Sequence, residues 1–133
     1  MPGSLATEGE TDGLKFLTGQ AATAYTTPLR LALTTTAPTA TSAGTEVTGG
    51  SYTRQTVTLA APTGSEPAAT SNTALIEFAG MPAVGGTGVV GFNIYDSSAT
   101  PRRVWFGTWN TAKTVNAGDP FQVPAGDLDL TIT

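Results

Sequence analysis

Apolar and polar residues alternate along this chain in short runs, and each run is bounded by Gly, Pro, Ser or Thr. The clearest is Pro28–Thr35, with Leu29, Leu31 and Leu33 on one face and Arg30, Ala32 and Thr34 on the other. Strand side chains alternate with a period of two, so this run predicts a half-buried strand. A glycine-rich turn ending at Gly50 feeds a second, which places Val57 and Leu59 on one face after Thr53 and Gln55. Tyr52, Arg54, Thr56 and Thr58 take the opposite face. Ala74–Phe78 predicts a short strand with Ala74, Ile76 and Phe78 inward and Glu77 outward. Val89–Tyr95 predicts another, with Val90, Phe92 and Ile94 together. Gly91 in its middle marks a bulge or a close neighbour. In Arg103–Trp109, Trp105 and Trp109 share one face, Val104 and Phe106 the other. Phe121–Val123 and Leu128–Ile132 supply the last two strands.

Between these runs lie connections. Thr34–Gly50 contains Pro38, which cannot join a central ladder, and is long for a compact domain; it reads as a surface loop suited to contact. The stretch from Ala60 to Asn72 carries Pro62, Gly64 and Pro67 and reads as a second loop, and Gly80–Gly88 as a turn-rich connection. Asn116–Asp119 is a tight-turn signal. Residues 1–13 are small, polar and acidic and read as an arm, flexible or ordered against a neighbouring subunit. Thr11–Gly19 predicts one or two helical turns, capped by Thr11 or Asp12, with Leu14 and Leu17 on one face and Gly19 ending it. About seven short strands and at most one short helix predict an all-β fold: an antiparallel sandwich or jelly-roll-like barrel over residues 14–133 as one domain.

Composition narrows the chemistry. The 133 residues include no cysteine and no histidine, so disulfides, thiolate metal sites and the commonest general base are absent. Only 12% of residues are charged, and threonine is the commonest residue, about one in five. The surface must therefore be built from Thr, Ser, Asn, Gln and Gly. A net charge of −4, with Arg102 and Arg103 the only adjacent basic pair, disfavours direct nucleic-acid binding. No apolar run is long enough for a membrane span, and the first residues lack a signal-peptide core. No serine has a base to activate it, and Gly85–Gly88 is not followed by the lysine of a phosphate-binding loop. The expectation is a non-enzymatic protein with no catalytic residue, metal or cofactor.

Several residues stand out as partner-contact candidates. Trp105 and Trp109 on one face suggest a platform for sugar rings, although large aromatics more often fill cores and interfaces. Arg102 and Arg103 fit either an acidic partner or a solvated strand start. Asp127 and Asp129 alternate on one face; a calcium site needs more oxygens, and exposed strand charges also deter edge-to-edge aggregation.

Seven pieces occur in order: Leu29–Pro38, Gly44–Val47, Gly49–Gln55, Ser71-Asn72 before the strand ending at Phe78, Gly91–Asp96, Lys113–Asp119 and Pro124–Ile132. Together they resemble small virion proteins of tailed bacteriophages, labelled either tail-fibre-like or capsid decoration (cement) proteins. The resemblance spans most of residues 14–132, leaves out residues 1–13 and offers no catalytic residue. It implies a β-rich structural virion protein that assembles as an oligomer. It also makes Tyr52 and Arg54 look like anchors for the preceding loop, with Arg54 pairing Glu46; contact with a neighbouring subunit is the alternative. The expected role is a capsid decoration protein, a homotrimer on the outer capsid surface that clamps the major capsid protein. Its alternative is a tail-associated fibre, adaptor or host-adhesion module. Synthesis in the host bacterial cytoplasm follows from either.

Overall fold

The computed structural model describes residues 2–22, 24–63 and 68–132. Among them the elements run β1 (Pro2–Leu5), α1 (Thr7–Leu17), β2 (Leu29–Thr34), β3 (Gln55–Val57), β4 (Ala68–Ser71), β5 (Ile76–Phe78), β6 (Val84–Tyr95), β7 (Arg103–Val115), β8 (Phe121–Val123) and β9 (Asp129–Ile132). The fold is all-β with one short helix, as the alternation predicts. Seven strands curl into a half-barrel in the order β3-β2-β6-β7-β1-β9-β4, and β5 and β8 form a separate pair. Neighbours run antiparallel except β1 and β9, which are parallel.

The core collects the inward residues of both sheets. Leu31, Leu33, Phe92, Ile94 and Leu130 come from the large sheet, and Ile76, Phe78, Phe121 and Val123 from the small one. Rings tie the two together: Phe92 lies 4.8 Å from Trp109, and Trp109 lies 5.7 Å from Phe121, both tilted. Tilted pairs at this spacing add to the stabilisation from burial alone.

The second face of the sheet is also covered where β2 meets β6. Ala32 and Thr34, expected on a polar face, are fully buried. The cover is the Thr34–Gly50 segment. Its Val47 N–H donates to the Leu33 carbonyl at 2.9 Å, and its Ala43 carbonyl accepts from Asn93 Nδ2 at 2.8 Å. Pro38 is buried as well. This loop therefore packs on its own sheet, because its small Ala, Thr and Pro side chains let it lie flat there.

Other departures have local causes. β6 begins at Val84, inside the stretch expected as a connection, and Val89 joins the core while Val90 is only half-buried. A register shift between Val89 and Gly91 resets the alternation. Leu59 forms an isolated bridge with Asn72 rather than extending β3. β4 lies in the stretch read as a loop, whose Gly64 and Pro67 fall outside the described residues. Within the stretch set apart as an arm, Pro2–Leu5 forms β1 between β7 and β9. The helix starts at Thr7, before the expected Thr11, with Ala6 at the cap and no side-chain cap bond. Thr7 N–H instead donates to the Ala40 carbonyl at 3.0 Å, so this start has no local sequence signal. Gly9 is buried on β7, where a Cβ would lie 2.6 Å from the Val104 carbonyl oxygen. The expected end holds: Gly19, at φ 75°, closes α1, while Gln20 N–H reaches the Lys15 carbonyl at 2.8 Å.

Candidate functional site

Tyr52, Glu46 and Arg54 form one hydrogen-bonded unit. Arg54 grips Glu46 with both arms of its fork, Nε to Oε2 at 3.0 Å and Nη2 to Oε1 at 2.8 Å. Its guanidinium lies 3.8 Å from the centre of the Tyr95 ring. The Tyr52 hydroxyl donates to Glu46 Oε2 at 2.8 Å and accepts the Leu33 N–H at 2.9 Å, while its ring stacks on Phe78. Burial raises the Tyr52 hydroxyl well above the usual phenol range; the Leu33 N–H opposes this and the Glu46 carboxylate adds to it. Tyr52 faces the core because residues 50–54 precede the strand, so alternation does not extend back to it. Beside this unit lies an open groove of about 690 Å³, also lined by Arg30 and Ser97. Tyr52→Phe is expected to cost about 1–3 kcal/mol, because it strands the buried Leu33 N–H as well as freeing Glu46. Urea unfolding measures this, and a change within error would show that the ring alone anchors the loop.

The paired arginines are also committed within the chain. Arg102 donates to the Ala24 carbonyl at 2.8 Å, lies 3.4 Å from both Asp12 and Asp96, and sits over the Tyr25 ring. Tyr25 in turn donates to Asp12 at 2.6 Å. Arg103 donates to Asn93 Oδ1 and the Ala40 carbonyl, both at 3.0 Å. Together they fasten α1, the segment after it and the Thr34–Gly50 loop to the β6–β7 turn.

The two tryptophans pack against the core, each half-buried, and they differ in what else they touch. Trp105 stands in register with Leu5 of β1 and Ile94 of β6. Trp109 lines a cavity of about 390 Å³. Its Nε1–H is buried with no acceptor among the described residues. β7 leaves register here: Gly91 pairs with Thr108 and Val89 with Lys113, so Trp109 to Ala112 stand opposite Val90 alone. Irregularities of this kind re-aim side chains and recur beside binding sites. Phe121, Lys113, Gln122, Asn110 and Asp127 complete much of the wall, with Lys113 Nζ 5.8 Å from the Phe121 ring centre. The turn from Pro124 to Asp127 is pinned by the buried Asn72, which donates to the Pro124 carbonyl and accepts the Leu128 N–H, both at 3.0 Å. Sequence reasoning missed Asn110, Lys113 and Gln122 as a group, because only folding brings Gln122 of β8 beside Asn110 and Lys113 of β7. Among the acidic lining residues, Asp127 and Asp129 were visible in the sequence through their alternation with Leu128.

Residues 7–131 match the family described as Podophage GP4 fiber I protein gp80. The chain belongs to that family. It is thus a structural protein of a phage virion, and the broader part of the sequence resemblance holds. No curated protein and no solved structure matches the chain. The match spans α1 and every strand except β1, which lies inside the large sheet, and the last residue of β9, so it refers to the fold just described.

Proposed function

We propose that this member of the fibre-protein family is a non-enzymatic subunit of a virion fibre. The family match across residues 7–131 carries this reading. The architecture suits it. Four of the candidate contact residues, Tyr52, Arg54, Arg102 and Arg103, spend much of their bonding capacity inside the chain, and both tryptophans pack on the core, which favours a preorganised building block. Leu14, Phe16 and Leu17 stand exposed at the end of α1, apolar area of the kind that assembly covers. Repeated copies then supply avidity where each single contact is weak. The partners on this reading are other protein chains, including copies of itself, with neither nucleic acid nor membrane in direct contact. Gold-labelled antibody on intact virions tests it, together with copy number relative to the major capsid protein. Label on appendages at a low copy number is expected.

Capsid decoration is the second reading, favoured by the cement label within the sequence resemblance. A homotrimer seated where capsomers meet would clamp the major capsid protein, and binding only the assembled shell would stabilise it by mass action. Label over the whole head, at a copy number near that of the major capsid protein, would select it over the fibre.

A further inference from the structure

We propose that the cavity at Trp109 is a binding site for a neutral sugar ring. The site goes beyond the structural role, and its chemistry stands whether the protein sits on fibre or head. A pyranose presents C–H groups on one face and hydroxyls around its rim, so it needs an aromatic wall beside planar hydrogen-bonding groups. The cavity offers both. The half-buried Trp109 makes the apolar wall, backed by the buried Phe121, their rings 5.7 Å apart. Asn110 carries an amide that both donates and accepts, Gln122, whose Nε2 donates to Glu77, offers its amide oxygen, Asp127 accepts, and Lys113 donates. The volume of about 390 Å³ falls within the range of small-ligand sites, whose walls mix aromatic area with a few polar groups.

Two features indicate a built cavity. β7 departs from register over Trp109–Ala112, which sets Asn110 and Thr111 at the rim while Trp109 turns toward Phe92. The opposite wall is held by Asn72, a buried side chain whose bonds fix the turn from Pro124 to Leu128. The indole N–H of Trp109 is buried and lacks an acceptor among the described residues, so its NMR signal reports on the packing of the ring that lines the cavity. Acidic and basic groups face the cavity together, Lys113 against Asp127 and Asp129, which favours a neutral sugar over a charged one.

The test is a titration of the full chain with glucose, galactose and N-acetylglucosamine, followed by the two indole N–H signals in NMR. Millimolar sugar is expected to shift the Trp109 signal and leave that of Trp105 in place, with at least one sugar saturating. Asp127→Asn and Gln122→Ala, both on exposed side chains, are expected to weaken binding about tenfold each without lowering the melting temperature. Trp109→Ala is not the deciding variant, because that ring also packs on the core. Equal shifts at both indoles, no shift with any of the three sugars, or binding untouched by both polar variants would overturn the site.

Discussion

Asp96→Ala is expected to lower the unfolding free energy by about 3–5 kcal/mol, the usual cost of removing one partner from a buried charged cluster. Asp96 is 1% exposed. Its carboxylate accepts the Arg102 N–H at 2.7 Å, the Ser98 hydroxyl at 2.8 Å and the Thr26 N–H at 3.2 Å, with Arg102 Nη2 at 3.4 Å. Those groups close the β6–β7 turn and attach the chain entering β2, so alanine would leave several part-buried donors without this acceptor. Burial alone would raise this carboxyl. The N–H of Arg102, the hydroxyl and N–H of Ser98 and the N–H of Thr26 outweigh it and hold the group down at about 2. A folded value below the ordinary 3.8 means the stabilisation is present in full above that ordinary value. It is lost as pH falls toward the folded value, and the gap corresponds to about 2 kcal/mol. Urea unfolding of the parent and of Asp96→Asn, at neutral pH and in steps down to about pH 2, isolates this part. The asparagine variant should lose less stability than the parent over that acid range. Parallel acid profiles would show that Asp96 is not the group responsible.

Much of the fold was legible because the strands that form the core carry their own alternation. Leu29 to Thr34 is the best case: its period of two names Leu31 and Leu33 correctly as core. The same pattern misassigned Ala32 and Thr34, since small residues read as polar-face positions although a loop covers them. β1 was invisible for a related reason. Pro2-Gly-Ser-Leu has no apolar rhythm, and it becomes a strand because β7 and β9 offer edges on either side. The Tyr52–Glu46–Arg54 unit was foreseen through the resemblance, on residues close in sequence. The Trp109 cavity was half foreseen, through the tryptophan alone. Its polar wall comes from Lys113, Gln122 and Asp127, which only the return of the chain through β8 and its following turn brings together.

Gly91→Val is expected to destabilise the protein by more than about 3 kcal/mol, and Gly91→Ala by about 1–3 kcal/mol, both by overpacking. The sequence left two readings for this glycine, a bulge or a close neighbour, and the structure contains both. The register shift between Val89 and Gly91 is the first. For the second, a Cβ at position 91 would lie 2.5 Å from Pro38 Cδ, 2.8 Å from Thr34 Oγ1 and 2.9 Å from the Gly107 carbonyl oxygen. The Gly107 oxygen belongs to the central β6–β7 ladder and cannot give way without breaking it. Pro38 belongs to the Thr34–Gly50 segment, so the cheaper response is for that loop to lift, exposing Ala32 and loosening the bond between Asn93 and Ala43. Gly85→Ala is the control, because nothing lies within 4 Å of its Cβ position in the same strand. It should change stability by less than about 0.5 kcal/mol. Limited proteolysis separates the two responses: new cleavage within residues 35–46 of Gly91→Ala reports a lifted loop. Pro38→Ala in that background should then recover part of the loss, as coupled neighbours do in a double-mutant cycle. If the two losses simply add, the contact between Pro38 and position 91 does not limit the packing, and the loop is held chiefly by its hydrogen bonds to Leu33 and Asn93.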